Sequence, residues 1–213
     1  MILYHGSTRL FDRFDLSFCG DWTGIKFGFG VYLAEPEASA VNYSEPRTHG
    51  QKKQIVPNFP EHYLYTVEMP YLTPDNHIVA NKPVHREIVL RAEASLGITI
   101  PEVFCAQGVY FRKLVGCLRV GTAVEIGKTT EDDAAMELKK RMKDCKFEVE
   151  KTASEFLDGI VVFCYVWPAL SWAKDTPIKA AVFNDKNVRI VRREKIDITL
   201  KGSRWVLTGR QEI

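Results

Sequence analysis

The sequence predicts a single α+β domain. Three observations lead there. Short runs with strand character, such as Tyr63 to Met69, are interspersed with short helical runs, such as Pro36 to Tyr43. No βαβ rhythm links them. No internal repeat or shift in composition divides the 213 residues, so 1–213 reads as one domain.

The elements follow in chain order. Met1 to Tyr4 is apolar and short, a strand stopped by Gly6. Ser7 to Ile25 is polar and irregular. Phe27 to Leu33 alternates glycine with aromatic and apolar residues, which suits a strand. Pro36 fits a first helical turn, and Ala38, Ala40 and Val41 carry that helix to Tyr43. Prolines and glycine make Glu45 to Pro60 a loop. Tyr63 to Met69 alternates strand formers. Pro70 to Pro83 is a second loop. His85 to Leu96 reads as a helix ended near Gly97, and Val109 to Val120 is mixed. Thr129 or Thr130 caps a helix with Glu131, Asp132 and Asp133 at its positive end. Its basic residues, Lys139 to Lys143, lie toward the other end, near Cys145. Ile160 to Val166 is a buried-strand candidate. Lys179 to Val191 holds two strand pieces around Phe183–Lys186, and Trp205 to Thr208 is a last strand.

Composition narrows the class. At 46% hydrophobic and 26% charged the chain is globular rather than disordered. A net charge of +2 argues against nucleic-acid binding by bulk charge. The five cysteines include no CxxC pair, which argues against zinc and against a disulfide framework. The longest uncharged stretch, Gly159 to Ala173, is too short to span a bilayer and holds Pro168. No signal peptide is visible. The expectation is a cytoplasmic protein with reduced thiols and no membrane span.

Two segments carry chemistry. Leu3-Tyr4-His5-Gly6-Ser7 ends the first strand. Its glycine admits a ligand to the backbone, and the imidazole and hydroxyl add directional donors and acceptors. Taken alone it is an ordinary turn. The second is Phe27-Gly28-Phe29-Gly30-Val31-Tyr32-Leu33-Ala34, followed after eight residues by Tyr43 of Asn42-Tyr43. Tyr32 and Tyr43, on a strand and the next helix, are placed to sandwich a flat ring. The competing reading is two core tyrosines in an amphipathic unit.

Together the segments resemble the ADP-ribosyltransferase family, in its diphtheria-toxin-like His-Tyr-Glu branch, which includes the poly(ADP-ribose) polymerases. That branch carries His-Gly-Ser/Thr on its first strand. It also has a Phe-Gly-x-Gly-x-Tyr-Phe-Ala strand with an Asn-Tyr beyond it. Phe27 to Tyr43 matches this block without a gap. Tyr63 to Met69, Ala153 to Ile160 and Ala181 to Ile190 are similar to phage- and prophage-associated members. The resemblance runs from residue 2 to about 191, strongest in the first 45.

The resemblance implies two small, roughly perpendicular sheets with flanking helices, forming a cleft for NAD as co-substrate. His5 would bond the adenine-side ribose. Gly6 would hold the nicotinamide amide through its backbone, helped by Ser7. Tyr32 and Tyr43 would pack on the nicotinamide ring, with Gly30 and Ala34 in the same cofactor-binding block. The family often has a serine three residues before the second tyrosine; here Ala40 stands there. The closing strand has no glutamate. Asp185 takes its place if Asn184-Asp185 matches the Asn-Glu of the polymerases. Asn187 takes it, without charge, if Asn187-Val188 matches the Gln-Ile of the phage-type domains, and that fit needs no shift. A fixed anion matters because cleavage of the nicotinamide–ribose bond passes through an oxocarbenium-like cation. Residues i and i+2 share a strand face, so parity does not separate the two.

The implied function is transfer of one ADP-ribose unit from NAD to a macromolecule, with release of nicotinamide and no metal. A protein acceptor is favoured over nucleic acid. A toxin or phage–host conflict effector is the setting implied. The alternatives are a nucleic-acid acceptor, held by Lys186, Arg189, Arg192, Arg193, Lys195, Lys201, Arg204 and Arg210, and a catalytically weak NAD- or ADP-ribose-binding module. Glu35 and Glu37 read as a solvated helical turn. The remaining histidines, 49, 62, 77 and 85, show no metal-ligand spacing and are assigned to loops and surface. Trp167, Trp172 and Trp205 read as core or interface.

Overall fold

The computed structural model describes residues 1–18, 30–45, 56–69, 71–79, 82–96, 162–166, 178–182, 185–202 and 204–213. The helix expected at 129–145 and the mixed segment at 109–120 lie outside these, as do His49, Trp167 and Trp172. The described residues form a mixed α+β structure with one mostly antiparallel sheet. Its strands are β1 (Ile2–Ser7), β2 (Val31–Ala34), β3 (His62–Glu68), β4 (His77–Val79), β5 (Val162–Val166), β6 (Ile178–Val182), β7 (Arg189–Lys201) and β8 (Arg204–Glu212). The helices are α1 (Glu37–Tyr43) and α2 (Arg86–Leu96). The order across the sheet is β4-β5-β6-β2-β1-β3-β7-β8.

This is one hydrogen-bonded sheet where two were expected. Its narrowest point is the centre. β1 and β3 stay in register from Ile2↔Glu68 to Ser7↔Tyr63. β1 and β2 are in register only at Tyr4↔Ala34. Two four-stranded halves therefore meet at a single bridge.

Alternation decides the two faces. Leu3, Val31, Leu33, Tyr63, Tyr65, Val67, Ala180 and Val182 pack together on one face, under Phe11, Phe14 and Leu16. Ala34, Ala40, Val41, Leu64, Ile196, Ile198 and Trp205 pack on the other, where α1 lies. Leu3, Leu64 and Tyr65 are completely buried. Each contributes about 1.5–3 kcal/mol by leaving water.

Several boundaries differ from the sequence expectation. β1 does not stop at Gly6 but continues to Ser7, because β3 keeps pairing with it. β4 falls inside the stretch expected to be loop and pairs in parallel with β5. β7 runs through the charged stretch Arg192 to Lys195 and reaches Lys201. Between β6 and β7, Asp185–Asn187 form a 3-10 turn rather than strand. The same-face argument for residues 185 and 187 therefore does not apply, since a 3-10 turn advances three residues per revolution.

Candidate functional site

The central bridge opens into a fork. Met1 and Met69 exchange both backbone bonds, each 3.0 Å long. Alternate residues of an antiparallel strand turn both backbone groups to the same neighbour. The odd residues of β1 thus face β3, while Tyr4 and Gly6 face β2. Tyr4 meets Ala34 at the bridge. Gly6 lies beyond it, with no β2 residue in register. Its N–H and C=O point into the fork.

His5 spans this fork. Its Nδ1–H donates to the Tyr32 carbonyl at 2.8 Å. A carbonyl can only accept, so Nδ1 carries the proton. Phe14 stands edge-on to the imidazole at 5.1 Å, with Phe11 at 6.0 Å and Tyr65 at 6.1 Å. Desolvation by these rings holds the imidazole below its ordinary value, and the Tyr32 carbonyl opposes this in part. The ring is neutral near pH 7, and its Nε2 lone pair is an acceptor with no hydrogen-bond partner among the described residues.

That shift fixes a sign. Above pH 6.5, the ordinary imidazole value, folded and unfolded chains both carry neutral His5 and its stabilising contribution is complete. Below it the unfolded chain takes up a proton that the folded chain refuses. Stability then falls with pH, by at most about 1.4 kcal/mol per unit for one proton. Urea midpoints between pH 7.5 and 5 should fall less in His5→Asn, whose amide N–H replaces Nδ1–H without titrating. Equal slopes in both proteins would show that His5 is not desolvated.

The other expected residues surround the fork. Ser7 accepts from the Arg9 N–H at 3.0 Å through Oγ, which leaves its own hydrogen to donate. Gly30 is buried at the open end of the fork and Ala34 at its closed end. Tyr32 lies between Val31 and Leu33, which pack on the His5 face, so its side chain takes the α1 face. Tyr43, the last residue of α1, is half-exposed. Tyr32 and the helix that ends in Tyr43 share the face opposite His5. Asn42 is structural: its Oδ1 accepts from the Trp205 N–H at 2.9 Å, and its amide donates to Ala38.

Asp185 is tied to the loop after β1. Its Oδ2 accepts from the Leu16 N–H at 3.3 Å, two residues past the Phe14 that abuts His5. The backbone of Asn187 ends the 3-10 turn.

Several features were missed or misread in the sequence. His62 is buried rather than on the surface. Its Nδ1–H donates to the Ser44 carbonyl at 2.9 Å, and its Nε2 faces buried Glu45 at 3.8 Å. This pair locks the end of α1 directly after Tyr43. His77 and His85 bring their Nε2 atoms to 3.4 Å. Glu37 is not simply solvated; it pairs with Arg210 at 2.7 Å. The basic C-terminal residues are largely neutralised in place. Arg189 pairs with Glu68, Arg193 with Asp12, Lys195 with Glu61, and Arg192 with Glu194 and Glu212. Of the expected basic group, Lys201 and Arg204 are exposed and form no ion pair among the described residues. A cleft of about 350 Å³ lies away from the fork, lined by Asp12, Ile190, Arg192, Arg193, Glu212 and Ile213.

Among the described residues no three metal-ligating side chains converge, and no helix is long and apolar enough to cross a membrane. No family model matches the chain, and no curated protein or solved structure matches it either.

Proposed function

We propose that the protein transfers a single ADP-ribose unit from NAD to a macromolecular acceptor and releases nicotinamide. The observation that carries this reading is the pair of Gly6 backbone groups turned into the fork. One donor and one acceptor on one residue complement a primary carboxamide, which presents the reciprocal pair. Nicotinamide ends in such a group. Tyr32 and Tyr43, on the α1 face, supply aromatic surface for its ring. The neutral Nε2 of His5 accepts a ribose hydroxyl.

The chemistry follows from these placements. The nicotinamide–ribose bond breaks, and the bonding pair leaves with nicotinamide. Positive charge develops on the ribose, and an acceptor nucleophile attacks that carbon and loses its proton. Asp185 is the carboxylate we assign to stabilise the cation, because its loop contact places it beside the segment that boxes His5. The paired cations on β7 and β8 favour a protein acceptor over nucleic acid, since an ion-paired side chain offers little to a phosphate.

The test is incubation with labelled NAD and a bacterial lysate, followed by protease or nuclease treatment. Protease-sensitive label is expected, with His5→Ala and Tyr32→Ala each reducing it about a hundredfold. Nuclease-sensitive label would reassign the acceptor. Nicotinamide-blockable NAD binding without transfer would make the protein a binding module. Absence of NAD binding would overturn the proposal.

A further inference from the structure

We propose that Tyr65 is a positioning residue for the adenosine half of the dinucleotide, acting through the loop that follows β1; this rests on the function proposed above. Tyr65 is completely buried on β3. Its hydroxyl donates to the Arg9 carbonyl at 2.9 Å and accepts from the Phe11 N–H at 2.9 Å. One phenol thus uses its donor and an acceptor on two backbone groups of the same loop. Its ring also stacks on Phe11, with centroids 4.2 Å apart and planes 10° from parallel. Burial raises its pKa to about 12, so the donor is retained across the neutral range.

The clasp matters because of what the loop covers. Phe11 packs on Phe14 at 5.1 Å, and Phe14 stands edge-on to His5. Two residues on, Leu16 binds Asp185. The loop therefore sets the plane of the imidazole and the place of the carboxylate, while touching neither substrate nor reacting atoms. Gly6, Tyr32 and Tyr43 belong to β1, β2 and α1 rather than to this loop, and the Tyr32 carbonyl meets it through His5. They lie at the fork and on the opposite face. The clasp should govern NAD while leaving nicotinamide alone unaffected.

Tyr65→Phe keeps the ring and removes both bonds. NAD affinity is expected to fall about tenfold, which is the effect of two ordinary hydrogen bonds. Nicotinamide affinity should stay within twofold. Phe14→Ala, on the partly exposed loop, should show the same split without altering a buried strand residue. Trypsin gives a readout independent of transfer, because the carbonyl held by Tyr65 belongs to the Arg9–Leu10 bond. Cleavage there should be faster in Tyr65→Phe, and NAD but not nicotinamide should slow it in the wild type.

The outcomes separate cleanly. Selective loss of NAD binding supports the clasp. Unchanged binding in both variants overturns it and leaves the proposed function standing. Equal loss of NAD and nicotinamide overturns it in favour of a general structural role. A wild type that binds neither ligand overturns the function, and the clasp with it.

Discussion

Replacing Gly6 with alanine is expected to destabilise the protein by about 3 kcal/mol or more, a fall in melting temperature of roughly 6–12 °C. It should also abolish the nicotinamide binding proposed above. A Cβ at Gly6 would sit 2.0 Å from the Ala40 carbonyl oxygen, 2.7 Å from the Ser44 nitrogen and 2.9 Å from the Ala40 carbonyl carbon. All three are backbone atoms of α1 or its cap, so no rotamer change relieves the clash. The helix must move away from the strand, carrying Tyr43 with it. Gly202 is the instructive control. A Cβ there meets nothing within 4 Å, but its φ is +62°. Gly202→Ala should cost only about 1 kcal/mol of backbone strain. Thermal melts of the two variants check this. A Gly6→Ala protein melting within 2 °C of wild type would show that α1 does not press on β1.

The second large effect concerns a chain of charges. Glu212, Arg192, Glu194, Arg210 and Glu37 are linked at 3.1, 2.9, 3.4 and 2.7 Å in turn. The middle carboxylate is 1% exposed, and its Oε2 has no hydrogen-bond partner among the described residues. The outer pairs are partly solvated and contribute little. The centre is different. Removing both arginines leaves a buried carboxylate without a counter-charge, which costs about 3–5 kcal/mol. Arg192→Ala with Arg210→Ala should therefore lower the urea midpoint steeply. Adding Glu194→Leu should recover most of the loss, since no buried charge is left to solvate. If the triple variant is no more stable than the double, Glu194 is not the origin of the cost.

The same two features explain what was legible in the sequence. Local patterns announced β1, β2, α1, β3 and α2, because each buries a face that its own periodicity describes. Gly6 was visible as a glycine but its cause was not: the reason is a helix more than thirty residues later, not a turn. The start of β7 fell within the strand expected up to Val191, but its continuation hid because the inward position 194 is a glutamate, which breaks the alternation that Ile196 and Ile198 continue. β4, with three residues between prolines, exists through β5, which lies far along the chain. Among the candidate site residues, His5, Gly6, Ser7, Tyr32 and Tyr43 stood out because they cluster in short motifs. Tyr65 and His62 did not, because only pairing of β3 with β1 and the packing of distant loops gives them partners.

Asn42 and Glu37 have a consequence for how this protein is cut or rearranged. Both belong to α1, and both are held by β8, through Trp205 and Arg210. The segment with the densest motifs therefore takes its footing from the far end of the chain. It is not a transplantable cassette. Residues 1–45 expressed alone would lack the wall against which their helix seats, and removal of 204–213 would unseat that helix while leaving every motif intact. Fusion or circular permutation should spare the β7–β8 hairpin, whatever is done to the loops between.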